Sequence, residues 1–345
     1  MSKKIINIIK YILFLSIGGV LLYFAFKDIP LDTFIESVKE ANFFWVGMNV
    51  LFGLIAFTSR AIRWKIAIEP LGYNISKLNA FYALMLGYLA NMAFPRLGEV
   101  TRCSALYKMD KVPVSKLLGT VIVERALDLT ILLSIMIFVF FYNIDLFGNF
   151  ILEKILNPAF TVISDKFGSA GLAYAIIGGV IFSVILVLYI FRKKLAEISL
   201  VKKVFDLLKD VLDGVKTIYK MEKKLYFVFH TIVIWLFYTL MTYVVFFALK
   251  ETSDLTFADA LFVLVFGGIG MALPVQGGFG TYHAIVALSL TIYGISYDTG
   301  LVYATISHEA QTLLVLIVGG FSAIMISIHK QKPNTISDEY KEDSK

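Results

Sequence analysis

The chain has 345 residues, 58% of them hydrophobic and 17% charged, with a formal net charge of +6 and a mean hydropathy of +0.78. Soluble domains carry about 45–50% apolar and about 25% charged residues, so this composition excludes an ordinary cytosolic or secreted protein and points to a membrane. A single cysteine, Cys103, closes no internal disulfide, and no Cys/His spacing typical of zinc or redox chemistry is present, so neither a metal nor a cofactor is expected.

In chain order, the first run long enough to cross a bilayer, about 20 apolar residues, is Ile5–Phe26. No secretory cleavage site follows it, so it reads as a retained span. A short acidic amphipathic segment, Leu31–Glu40, is expected at the outer surface. The second span is Asn42–Ile62. Ala80–Phe94 is too short to cross with ease; it ends at Pro95 and is followed by a second short segment, Gly98–Lys108. Leu117–Tyr142, Gly171–Phe191 and Leu225–Leu249 are the next three spans. Ala258–Leu273 is again short, ends at Pro274 and is followed by Thr281–Tyr293, and Gly300–Ile328 is the last span. Between 197 and 222, Val201, Val204, Leu208, Val211, Val215 and Ile218 recur at helical spacing among lysines. This is a basic amphipathic helix, lying on the inner leaflet or packed on the rest of the protein.

Charge placement sets the topology, because Lys and Arg accumulate in short cytoplasmic loops. A full crossing at Ala80–Lys108 would put Arg96, Arg102, Lys108, Lys111 and Lys116 outside. A hairpin that enters and leaves on the cytoplasmic face removes that conflict. All but six of the 32 basic residues then lie inside; the exceptions are Lys27, Lys39, Lys154, Lys166 and Lys250 outside and Arg125 within a span.

The expected fold is therefore an all-α integral membrane protein of six transmembrane helices and two re-entrant helical hairpins. Residues 1–148 form a first repeat and 168–330 a second, inverted one, since each contains an odd number of spans; 331–345 form a polar cytoplasmic tail. Met92-Ala93-Phe94-Pro95-x-x-Gly98 reappears as Met271-Ala272-Leu273-Pro274-x-x-Gly277 at the same element of the second half. Paired, interrupted hydrophobic segments point to a transporter site at the repeat interface. The expected location is the cell (inner) membrane, with both termini cytoplasmic.

Three clusters carry candidate chemistry. In the first, Pro95 stops a half-helix and Gly98 permits the turn into the next, whose free amides attract anions. Asn91, Arg96 and Arg102 would add hydrogen bonds to a phosphate, with Glu99 pairing with either arginine; the alternative is a loop that is basic for topology only. In the second, Glu124, Arg125 and Asp128 lie in the first half of an apolar span and are expected to face the protein interior. They form a structural ion pair, a substrate or proton site, or both. In the third, Pro274, Gln276, Gly277, Gly278 and Gly280 form a flexible tip with positive φ, and His283 follows. His283 acts there as a proton gate, a phosphate donor or a buried structural histidine. His308 and Glu309 of the last span complete the cavity, Glu309 being the sole carboxylate of that apolar run. Arg60 and Arg63, with Trp64, sit at the inner end of the second span as interface anchors or as headgroup contacts.

The motifs Arg60-x-x-Arg63-Trp64, Asn91-x-x-x-Pro95-Arg96-x-Gly98-Glu99-x-x-Arg102, Glu124-Arg125-x-x-Asp128 and Pro274-x-x-Gly277-Gly278-x-Gly280 together resemble the membrane region of lysylphosphatidylglycerol synthases, in the broad flippase-like or UPF0104 family. The resemblance covers nearly the whole chain. It implies an inner-membrane protein that binds a lipid or moves it across the bilayer, as the membrane half of those synthases is thought to flip aminoacylated phosphatidylglycerol. The large soluble aminoacyl-transferring domain is not in this sequence, so lysyl transfer is not expected, and His283 stands where many relatives have a glutamate.

The leading expectation is a flippase or scramblase-like lipid transporter that holds the phosphate of an anionic phospho- or glycolipid. Its partners would be membrane lipids and not nucleic acid. No Walker A motif is present, so the driving force would be an ion, potential or lipid gradient. An integral-membrane transferase acting on a polyprenyl phosphate or glycolipid is the alternative, in which Glu99, Glu124 and Asp128 act as acid, base or Mg²⁺ ligands. A scaffold without transport is the third reading, and the charges within spans argue against it.

Overall fold

The computed structural model describes residues 31–94, 97–144, 222–273 and 275–329, with Tyr23 and nine isolated positions between 157 and 183. The expected spans Ile5–Phe26 and Gly171–Phe191 lie outside the described residues except at isolated positions. The amphipathic helix 197–222 lies outside them but for its last residue, and the tail 331–345 lies wholly outside.

Every described element is helical. α1 spans Leu31–Glu40, α2 Phe43–Ile68, α3 Lys77–Ala93, α4 Gly98–Asp110 and α5 Val114–Tyr142. They are followed by α6 (Lys224–Phe246), α7 (Phe257–Ala272), α8 (Thr281–Thr291) and α9 (Tyr297–Ser327). Local sequence accounts for the starts. Asn42 caps α2, Ser76 caps α3 and Ser296 caps α9 through side-chain oxygens, and Thr256 with Asp259 forms a capping box on α7. The two breaks share one cause. Phe94 and Leu273 each precede a proline, which disfavours the helical conformation, and each takes an extended backbone that ends its helix.

The described residues up to Ile122, from 222 to Thr291 and from Ile295 onward form one compact unit, whereas those from Val123 and Ile292–Gly294 belong to a second. Within the first unit, α2 and α6 run antiparallel along their lengths. Asn49 donates to the Met241 carbonyl at 2.9 Å, the Ser59 hydroxyl meets His230 Nδ1 at 2.7 Å, and Glu69 meets Lys223 at 2.8 Å. α3 and α4 form an antiparallel hairpin: Asn79 bonds the Asp110 carboxylate at its base, and Gly87 and Gly98 touch near its tip. α7 and α8 form a second one, closed by Gly267 and Gly270 against Tyr282 and by the Thr281 hydroxyl donating to the Gly270 carbonyl at 2.8 Å.

α9 lies along both hairpins. Its Gly300 packs on Ala287 of α8, and its Gly319 packs on Met85 and Leu89 of α3. The turn Gln276–Gly278 at the second tip also rests on α3, where a Cβ on Gly277 would lie 4.0 Å from Met92 Cα. A buried apolar cluster of Trp64, Leu84, Cys103, Leu106 and Leu117 joins α2, α3, α4 and the start of α5.

Among the described residues, three helices are long and apolar enough to cross a membrane: Phe43–Leu71, Lys224–Phe246 and Tyr297–Ser327. On α6, Leu225, Phe229, Ile232 and Leu236 are exposed, and on α9 so are Leu313, Ile317, Phe321 and Ile324. Contiguous exposed apolar faces of this kind suit hydrocarbon and not water.

Candidate functional site

Two constellations stand out in the first unit. The first is basic. α2 continues to Ile68, two turns beyond the expected end of the span, so Arg60, Arg63 and Trp64 lie inside the helix. All three are buried, Arg63 and Trp64 at 0% and 1% exposure. They lie in the C-terminal part of α2, where the helix is packed along α6. Arg60 Nη1 donates to the Tyr238 hydroxyl at 3.1 Å. Arg63 reaches Thr231 Oγ1 at 3.5 Å and lies 5.7 Å over the Phe227 ring.

Arg102 joins them from α4. It is buried, its Cβ packs where Gly87 has no side chain, and its guanidinium lies 4.6 Å over the Trp64 ring. That ring is itself fixed by its Nε1–H donating to Thr120 Oγ1 at 3.0 Å. Three guanidinium groups are thus held in the interior of one helical unit. Burial of charge is costly unless the group is paired or hydrogen-bonded.

Asn91 has a structural task. Its Oδ1 accepts the Gly98 amide at 2.6 Å, so α3 supplies the cap of α4. Gly98 is a glycine for a different reason from the expected turn. It does not adopt positive φ; a Cβ there would collide with the Gly87 carbonyl oxygen and with the Asn91 side chain. Glu99 is half-buried in the first turn of α4. Pro95, Arg96 and Pro274 lie outside the described residues.

In the second unit, Glu124 is buried and Asp128 half-buried, but Arg125 is exposed. The expectation that all three side chains face the interior is thus corrected for Arg125. Successive helical residues are rotated by about 100°, so Arg125 cannot share the face of Glu124.

The second constellation of the first unit gathers at the tip between α7 and α8. Gly277, Gly278 and Gly280 have φ of 56°, 75° and 80°, the left-handed values that favour glycine, and Gln276 is buried beside them. The turn aims the Gly277 carbonyl at α9, where His308 Nε2 meets it at 2.7 Å. His308 Nδ1 lies 3.1 Å from Glu309 Oε1, and His283 Nε2 from α8 lies 3.8 Å from the same oxygen. Phe279 lies edge-on to His308 and parallel to His283, and Tyr282 is tilted against His308. Both imidazoles are buried, while the Glu309 side chain is 43% exposed.

Sequence reasoning found His283, His308 and Glu309 but not the groups that hold the arginines. The signal for those was present: Thr231 and Tyr238 are seven residues apart in a mostly apolar run, hence on one helical face.

The pattern of the lysylphosphatidylglycerol synthase TM region matches residues 8–319. A UPF0104 membrane protein of Methanocaldococcus jannaschii is 23% identical over 94% of this chain and 97% of its own length. No solved structure matches the chain.

Proposed function

The chain belongs to the family of the lysylphosphatidylglycerol synthase TM region, a family of membrane proteins, and on that premise we propose that it moves an anionic lipid across the cell membrane in the manner of a flippase or scramblase. The observation that carries this reading is the burial of Arg60, Arg63 and Arg102 within one helical unit. Guanidinium forks match phosphate oxygens in geometry and charge, and Arg96, next to Pro95 in the sequence, is the fourth arginine this reading assigns to the phosphate.

In this reading the two hairpins are re-entrant and belong to two inverted repeats of three spans each, with both termini cytoplasmic. α3 and α7 have 17 and 16 residues, or about 25 Å at 1.5 Å per residue, short of a hydrocarbon core about 30 Å thick. His308 lies about 16 Å along α9 from Tyr297, near the middle of such a core. Both hairpin tips are next to it, and transporter sites lie near the bilayer midplane where interrupted helices meet. The lipid phosphate binds the arginines, and relative movement of the repeats exposes the site to either leaflet.

The test is transbilayer movement of labelled lipids in proteoliposomes of the purified protein, with phosphatidylglycerol, a polyprenyl phosphate and a neutral lipid compared. Movement of an anionic lipid, lost in Arg96→Ala and reduced at least tenfold in Arg102→Lys, is expected. No movement of any lipid by folded protein would overturn the proposal; metal-dependent conversion of the lipid would favour the transferase.

A further inference from the structure

We propose that His283, His308 and Glu309 form a binding site for one borderline transition-metal ion of the Zn²⁺ class, a site that the sequence pattern did not lead us to expect. A carbonyl oxygen only accepts hydrogen bonds, so the 2.7 Å contact to Gly277 requires the proton of His308 to be on Nε2. Nδ1 of the neutral ring then carries a lone pair, and it points at a carboxylate oxygen 3.1 Å away. The Thr312 hydroxyl is the more distant neighbour of this nitrogen, at 3.5 Å, and two acceptors facing each other at 3.1 Å need a proton or a cation between them. His283 Nε2 approaches the same oxygen at 3.8 Å. The three ligand atoms all lie within 4.8 Å of one another.

The spacing fits a metal. With Zn–N and Zn–O bonds of about 2.0–2.2 Å in tetrahedral geometry, ligand atoms sit about 3.4 Å apart, between the 3.1 and 3.8 Å seen here. The supporting bond is also the usual one, since a ligating histidine donates its other N–H to a carbonyl or carboxylate that fixes the ring; Gly277 plays that part. Two imidazoles select the zinc class over Mg²⁺ and Ca²⁺, which prefer oxygen. His283 and His308 are buried, whereas Glu309 is partly open, so a fourth position faces outward. One carboxylate leaves a divalent ion with a net positive charge there, ready for an anionic oxygen ligand. The inference does not depend on lipid movement.

The experiment uses the full chain in detergent, stripped with a chelator and titrated with Co²⁺ alone. One Co²⁺ per chain with visible d–d absorption, displaced by Zn²⁺ but not by Mg²⁺, is expected. Glu309→Gln should weaken binding at least tenfold, and His283→Gln should abolish the absorption; gel filtration and circular dichroism establish folding. Glu309→Gln decides the matter if the histidine variant misfolds, because its side chain is partly exposed. Absence of binding to folded wild-type protein, or equal binding by folded Glu309→Gln, would overturn the proposal and leave a shared proton as the charge between His308 and Glu309.

Discussion

The amide of Gly98 donates to Oδ1 of Asn91 at 2.6 Å, so the second helix of the first hairpin is capped by the first. The cap is therefore a tertiary contact, and it ties together the two arms of the hairpin that carries Arg102. Asn91→Ala should lower stability by about 1 kcal/mol, within the range of about 0.5–2 kcal/mol for a lost cap, and Asn91→Asp should retain most of it by keeping the acceptor. Thermal unfolding in detergent checks both.

The contact of Gly87 with Gly98 leads to a paired prediction. Gly98→Ala places a methyl against backbone, which cannot move aside as a flexible side chain can, and should cost about 3 kcal/mol, the upper part of the overpacking range. Gly119, on the exposed side of α5, has nothing within 4 Å of its missing Cβ. Gly119→Ala should be neutral or stabilising by up to about 1 kcal/mol. Equal melting temperatures for the two variants would contradict the close approach of α3 and α4.

Trp64 supports Arg102 by its ring face and Thr120 by its N–H. Trp64→Phe keeps most of the apolar volume but removes the N–H donor and weakens the cation–π contact. The expected loss is about 1–3 kcal/mol. Measured against Arg102→Ala in a double-mutant cycle, the two changes should be non-additive; strict additivity would show that the ring and the guanidinium do not support each other.

At the opposite end of α2 from Asn42, Glu69 bridges Lys65 and Lys223, each at 2.8 Å. The hydrogen bond to Glu69 and its negative charge hold the Lys223 ammonium above the ordinary lysine value. A raised folded value means that the contribution is fully present below the unfolded pKa of about 10.4 and is lost as pH rises through the folded one. The difference in melting temperature between wild type and Glu69→Gln should thus stay constant from about pH 6 to 9 and shrink above about pH 10.4. Salt at about 1 M should also shrink it, because Lys223 is exposed and screening is then strong.

The helices were largely legible in the sequence because their signals are local. Caps at Asn42, Ser76, Thr256 and Ser296 and the prolines after Phe94 and Leu273 fix starts and breaks within a few residues. Leu31–Glu40 was expected with the bounds it has. The positive φ at Gly277, Gly278 and Gly280 also followed from residue type. What was not legible depends on distant partners. The burial of Arg60 and Arg63 depends on α6, which supplies Tyr238, Thr231 and the Phe227 ring. Gly98 reads as a turn residue until Gly87, eleven positions earlier, is found against it. Nothing in the spacing of Gly277 and His308 announces their bond, since it depends on how α9 lies on the second hairpin.

That α9 touches both hairpins has a consequence for its register. His308 holds the second tip and Gly319 seats the first hairpin, so the ten residues between them act as a ruler. Inserting one residue there would rotate one contact relative to the other by about 100° and shift it about 1.5 Å along the axis. Either the imidazole or the glycine could then keep its place, but not both. The length of this stretch, more than its composition, sets where along α3 the second tip comes to rest.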